Sequence, residues 1–506
     1  MRKRPRKLRR NQISNKVDVV LATGNLKEDL ASFNSLYHHP DDFGTRYFEF
    51  HGKRGCVLYL EPLVDTNLLE QTFFIPLSED KFDDRYTLED LIVSTNWKRD
   101  SNVTKEATLL TKGYAAILLE GEPSILYVEV GIFFDRSIEE PSNEKIVRGS
   151  HEGLVESLFV NLNVLRRRAQ TSELAVKKTR VGAKLQRETA IVYMNDIADP
   201  EIVETIEDRI NDISSDLVIS PGFIAEYIQD HSYSPFPQVL YTERPDRIIS
   251  HLLEGRIIVM TDGSPTALIA PISISAFFQS PDDYNIHFIL GSFYRVIRFL
   301  SVFIAVTLPA LYISVVAFNY EILPNPIILP VKNSLANIPY PPLIEALIME
   351  LTIELIREAG VRLPSPIGQT IGIVGGLVIG EAVVNAGLVS NMMIIVVALT
   401  AVASFVIPSP EMNSVVRVLR FPFMFLAAIF GILGVTLASM LLLMHLCKLT
   451  SFGRPYLSPI APFRLKDMKD TAIRMPVWFL NTRPLAVKPQ TLKQQGYSWW
   501  WKQREK

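Results

Sequence analysis

Apolar residues fill four long runs in the second half of the chain, 299–320, 366–386, 388–407 and 421–447, and Glu381 is the only formal charge in any of them. A bilayer is crossed by roughly 20 apolar residues, so each run is long enough to be a span. Residues 1–298 are patterned differently. Short apolar runs such as Val57-Leu-Tyr59 and Ile191-Val-Tyr193 suit buried strands. Between them lie polar segments with helical spacing: in 200–210, Ile202, Val203, Ile206 and Ile210 fall on one face. The pattern predicts an α/β head followed by an all-α polytopic membrane domain.

The head contains a repeat. Gly113-Tyr-Ala-Ala-Ile-Leu-Leu-Glu-Gly121-Glu-Pro123 is echoed by Gly255-Arg-Ile-Ile-Val-Met-Thr-Asp-Gly263-Ser-Pro265, with Leu110 and Leu252 ahead of each copy. Upstream, Tyr59 leads to Asp65 and Glu70 as Tyr193 leads to Asp199 and Glu204. Two tandem related subdomains follow, 17–165 and 185–291, each closing on a hairpin whose turn glycine supplies positive φ. The basic stretch 166–184, with Arg166, Arg167, Arg168, Lys177, Lys178 and Arg180, is expected to be a linker helix. It reads as a solvated helix or as a contact for anionic lipid or a partner. Val57, Tyr59, Val192 and Tyr193 are read as core strand residues. Residues 1–16 form a basic tail, 292–448 the membrane domain with about four spans, and 449–506 a C-terminal tail.

Three features of the membrane half bear on function. Pro324, Pro326, Pro330, Pro339, Pro341 and Pro342 exclude a continuous helix after the first span. The segment 343–358 is then an amphipathic helix with Glu350, Glu354, Arg357 and Glu358 on one side. Carboxylates inside a bundle are a sign of ion or substrate handling; the other reading is an interfacial helix with its carboxylates in water. Next, Gly368, Gly372, Gly376 and Gly380 recur every fourth residue, a stripe along which helices approach closely. Thr370, Val374 and Val378 lie on the opposite side, with Glu381 beyond. That side either lines a pore or serves packing alone.

The totals, mean hydropathy +0.17 and net charge -2, average two unlike halves. No apolar h-region follows the basic start, so the head is expected to stay where it is made. Cys56 and Cys447 are too few and too separated for a disulfide framework or a cysteine metal site. The sequence carries no phosphate loop, HExxH, GxSxG or Cys/His metal spacing; no catalytic centre, cofactor, metal or nucleic acid is expected. Arg295 and Arg298 precede the first span, and Lys448, Arg454, Arg464, Lys466, Lys469 and Arg474 follow the last. Positive charge favours the cytoplasmic side, which gives four spans with both termini inside and leaves Arg417 and Arg420 outside. Trp499, Trp500 and Trp501 suit an interface anchor or a loose tail.

From about 41 to 462 the chain resembles the A subunits of GerA-type spore germination receptors. The resemblance is carried by Ser137-Ile-Glu-Glu-Pro141 with Val147-Arg-Gly149, Leu165-Arg-Arg-Arg168, Ser234-Pro-Phe-Pro-Gln238 with Tyr241-Thr-Glu-Arg-Pro245, and Gln279-Ser-Pro-Asp-Asp-Tyr284. Downstream it is carried by Arg357-Glu-Ala-Gly360 with Arg362-Leu-Pro364, Ile367-Gly-Gln369, and Ser451-Phe-Gly453 with Pro455-Tyr456. It implies a non-enzymatic subunit of a nutrient sensor in the spore inner membrane, acting with a transporter-like B subunit and a lipoprotein C subunit. It further implies a homo-oligomer of A subunits that conducts ions. In that reading Val374 and Val378 form an apolar constriction that gates by dewetting, and Glu381 with Glu350 and Glu354 favours cations. A non-conducting scaffold and a small-solute secondary transporter are the alternatives; the spans lack the internal repeat usual in the latter.

Overall fold

In the computed structural model, residues 20–78, 87–93, 96–132, 140–141, 143–336, 338–362, 381–383 and 385–496 are described. The chain divides into two units. One comprises Met1–Asn143, His151–Tyr227 and Tyr241–Ile269; the other Glu144–Ser150, Ile228–Leu240 and Ala270–Lys506.

The first unit is built on two five-stranded sheets of the same topology. One is ordered β1-β2-β4-β5-β3, from β1 (Phe43–Phe50), β2 (Lys53–Leu60), β3 (Trp97–Asp100), β4 (Tyr114–Leu119) and β5 (Ile125–Glu129). The other is ordered β6-β7-β9-β10-β8, from β6 (Leu174–Val181), β7 (Arg187–Met194), β8 (Leu240–Thr242), β9 (Ile257–Thr261) and β10 (Ala267–Ala270). The sequence repeat is therefore a structural one: the matched segments are β4–β5 and β9–β10. Their glycines do the same work in both copies, with φ of +85° at Gly121 and +83° at Gly263, and of +88° at Gly113 and +92° at Gly255. Val57 and Ile191 sit in the second strand of each sheet. The first sheet is buried on both faces, Cys56, Leu58, Leu60 and Tyr127 packing on one side and Val57, Tyr59, Leu126 and Val128 on the other. This explains why its strands read as unbroken apolar runs. The helix Pro200–Asn211 buries Ile202, Val203, Ile206 and Ile210, as its spacing predicts.

The expected linker helix over 166–184 does not form. Arg166, Arg167 and Arg168 end the helix Leu158–Ala169, Gln170 caps it at φ +43°, and Lys177, Lys178 and Arg180 lie on β6. That strand is an edge of its sheet, where lysines and arginines discourage pairing with a further chain. Its charges mimicked a solvated helix. Arg166 is instead buried, its guanidinium donating to both carboxylate oxygens of Asp42 at 2.9 and 2.8 Å and to the Leu174 carbonyl at 2.7 Å. Asn163 donates to the Pro62 carbonyl at 2.6 Å. The two sheets are thus clamped through the helix between them.

The second unit holds the helices Phe288–Phe318, Asn325–Leu335, Pro342–Arg362, Asn391–Phe405, Pro410–Phe430 and Ile432–Lys448. Phe288–Phe318 and Pro410–Phe430 are long and apolar enough to cross a membrane. The proline-rich stretch accommodates the short helix Asn325–Leu335, with Pro326 in its first turn. The apolar run 421–447 is not one span. It breaks at Gly431, whose φ of +61° turns the chain back on itself. A methyl group on Gly434 would lie 1.9 Å from the Leu426 carbonyl oxygen, so Pro410–Phe430 and Ile432–Lys448 form a hairpin in backbone contact. The residues after 448 are not a loose tail up to 496: Ser451 accepts from the Ile272 amide at 3.0 Å and donates to the Gln238 carbonyl at 2.7 Å.

Candidate functional site

Helix Pro342–Arg362 is turned inside out. Glu345 and Glu350 are fully buried while Leu351 and Leu355 are about 60% exposed. Its neighbours follow the same rule. Pro410–Phe430 buries Arg420 and exposes Val418 and Ile429, and Asn391–Phe405 buries Thr400 and Ser404 and exposes Ile395 and Val402. In water such a distribution is unfavourable on both counts; among lipid chains it is the expected one, because polar groups must be satisfied within the bundle.

The polar interior is a ladder between antiparallel helices. Arg420 pairs with Glu350, and Arg417 Nη1 donates to Glu354 Oε2 at 2.7 Å. Arg357 Nη1 lies 3.7 Å from Glu354 Oε1, with its guanidinium 4.6 Å above the Phe405 ring and within 3.5 Å of Ser404 Oγ. At the other end Glu345 Oε2 accepts from the Ser390 amide at 2.9 Å, and Tyr312 OH lies 3.3 Å from Ser390 Oγ. Glu345, Glu350 and Glu354 face Arg357, Arg417 and Arg420, so the ladder is balanced in formal charge. Glu345 Oε1, Glu350 Oε1 and Arg420 Nη2 are buried with no hydrogen-bond partner among the described residues. Unused polar capacity of this kind is destabilising, which makes the ladder the candidate site of the helical unit.

Three sequence expectations change here. Glu358 does not share the ladder face; it is exposed and holds Arg362 at 2.6 Å. Arg417 and Arg420 do not merely flank a span but lie within helix Pro410–Phe430 and complete the ladder from there. Glu350 and Glu354 are consequently neutralised within the chain and do not present free charge to a cation. Glu381 is exposed on a short helical segment. Thr370, Val374 and Val378, the stripe Gly368, Gly372, Gly376 and Gly380, residues 1–16 and Trp499, Trp500 and Trp501 lie outside the described residues. A sequence signal for the ladder did exist: Arg417 and Arg420, three apart in an otherwise apolar stretch, match the four-residue spacing of Glu350 and Glu354.

A second ionic cluster begins the first long helix. Asp283, fully buried, accepts from Arg295 Nε at 2.9 Å and Arg298 Nη1 at 2.7 Å, and Arg295 Nη1 reaches Asp470 at 2.6 Å. Gln279 donates to the Asp470 carbonyl at 2.6 Å. The Gln279–Tyr284 motif thus ties the start of the helix to residues far beyond the bundle.

A family profile described as Bacillus/Clostridium GerA spore germination protein matches residues 31–486. The chain belongs to the GerA family. Among curated relatives, this GerA-family chain is 38% identical over 471 residues to spore germination protein B1 of Bacillus subtilis (strain 168), covering 92% of this chain and 98% of the relative. It is 39% identical over 465 residues to the uncharacterized membrane protein YfkQ of the same organism, covering 91% of each. The solved N-terminal domain of the A subunit of the Bacillus megaterium spore germinant receptor GerK3 aligns with 50% of the chain and 97% of its own length, at 25% identity and a TM-score of 0.40. The GerA-family motifs have visible structural roles: Arg166 of the triple-arginine motif clamps the two sheets, and Gln238, buried, closes a loop by bonding the His231 amide at 2.9 Å and its carbonyl at 2.8 Å.

Proposed function

We propose that this GerA-family protein is the A subunit of a nutrient germinant receptor and that, in the spore inner membrane, copies of it assemble into a nutrient-gated cation channel. Its partners are a transporter-like B subunit and a lipoprotein C subunit. The helical unit is a multi-pass membrane domain, and the α/β unit is cytoplasmic with both termini.

The observation that carries this reading is the inverted helix Pro342–Arg362, with ion-paired carboxylates inside and leucines outside. Ionisable residues held within a membrane bundle mark ion or substrate paths. The pore itself is assigned to Thr370, Val374, Val378 and Glu381, with Val374 and Val378 as the dewetting constriction, and close helix approach to the glycine stripe. With Glu350 and Glu354 paired, cation preference falls to Glu381.

Ion release from spores carrying Val374→Ser tests the reading. Leakage without nutrient, at normal receptor abundance on a blot, supports a gated pore. Unchanged ion retention with intact germination overturns it in favour of a non-conducting scaffold, a role the neutral ladder also suits.

A further inference from the structure

We propose that the loop 459–469 is a membrane-surface anchor that binds anionic phospholipid headgroups. The proposal rests on the membrane reading of the helical unit, to which this loop belongs.

The loop is fixed at its far end to the start of helix Phe288–Phe318. Arg295 Nη1 donates to the Asp470 carboxylate at 2.6 Å and to its carbonyl at 2.8 Å. The Arg474 amide donates to Ser292 Oγ at 3.1 Å, and Arg474 Nη1 to the Ile286 carbonyl at 3.0 Å. Just before this tether, Ile460, Phe463 and Leu465 are 48, 66 and 74% exposed. Arg464 and Lys466 alternate with them, and among the described residues neither lies within 4 Å of a carboxylate oxygen, although Arg464 is near enough to Asp467 to favour its charged form. From Lys448 to Gly496 the chain carries nine Lys and Arg residues against two acids, Asp467 and Asp470. Both acids are engaged, Asp470 by Arg295 and Asp467 by the Leu485 amide at 3.0 Å. Neither acid of this stretch is therefore left to form an ion pair with Arg464 or Lys466.

Exposed apolar side chains interleaved with free cations, held beside the end of an apolar helix, fit one environment. The apolar tips enter the acyl boundary while the cations meet lipid phosphates. A protein-docking patch differs, since lysine is depleted at its centre.

Full-length protein in nanodiscs of phosphatidylcholine, with or without phosphatidylglycerol, tests this by hydrogen exchange of the 459–469 amides. Phosphatidylglycerol is expected to slow exchange in the wild type. Arg464→Gln/Lys466→Gln is expected to lose that protection by about 30-fold, from about fivefold for each cation near an anionic surface. Arg464→Lys/Lys466→Arg is expected to keep it, which separates charge from folding. Equal exchange in both lipids, or protection that arises only when another protein is added, overturns the proposal. Failure of the protein to enter nanodiscs at all overturns the membrane reading on which it rests.

Discussion

Replacing Arg420 by Gln leaves the Glu350 carboxylate, which is fully buried, without its guanidinium. Unpairing a buried ion pair is destabilising by about 3–5 kcal/mol, and a bare charge at the centre of an apolar helix by about 2.5–3.5 kcal/mol on insertion scales. The two estimates meet near 3 kcal/mol, and Glu350→Gln, which strands Arg420, is expected to match. The double variant leaves two neutral amides able to bond each other. Interhelical polar contacts in lipid average only about 0.6 kcal/mol, so the double is expected to lose about 1 kcal/mol against roughly 6 for the summed singles. The coupling, about 5 kcal/mol, is the signature of the pair. It is read from unfolding of the full-length protein in mixed micelles by increasing dodecyl sulfate, with Glu358→Gln as control. Glu358 is exposed beside Arg362, so its loss is expected to stay within about 1 kcal/mol. A double variant as unstable as the sum of the singles refutes the ladder.

The same unfolding assay checks the hairpin: Gly434→Ala puts a methyl group 1.9 Å from the Leu426 carbonyl, and separating two backbones is expected to be destabilising by about 3 kcal/mol. Gly360→Ala, which meets no atom of the described residues within 4 Å, is expected to be neutral or mildly stabilising. In the α/β unit, Arg166→Ala strands the buried Asp42 and is expected to be destabilising by about 3–5 kcal/mol in denaturant unfolding. The helix Pro245–Leu253 is expected to weaken in acid. Burial holds the His251 imidazole at about 4, below its ordinary 6.5, so its contribution is complete above 6.5 and lost as pH falls from 6.5 toward 4. At about 1.4 kcal/mol per pH unit this amounts to about 3 kcal/mol. Glu254 is partly buried, which alone would raise its carboxyl, but Arg256 beside it at 3.1 Å outweighs this and brings it to about 2, so its share is lost only below 4.5. Hydrogen exchange of that helix across pH checks both, and His251→Asn is expected to remove the upper phase and to shrink the lower one, because His251 helps to hold Glu254 down.

Local pattern alone determined much of this protein. The repeat around Gly121 and Gly263 specified two like hairpins because a tight turn at positive φ leaves few alternatives to glycine. The spacing of Ile202, Val203, Ile206 and Ile210 specified a helix with one buried face, and the motifs from Ser137 to Tyr456 specified the family. What escaped was every feature decided by a distant partner. The charges of 166–184 looked like one helix until Asp42 gave Arg166 a place and the sheet edge gave one to those of β6. The run 421–447 looked like one span because hydropathy does not register a reversal at Gly431. Glu350 and Glu354 looked like free acids, and Arg417 and Arg420 like outer flanks, because an ion pair across helices has no local trace. A charge inside an apolar bundle is tolerable only when paired; the sequence supplied both members, and only the tertiary structure decided which carboxylate each arginine meets.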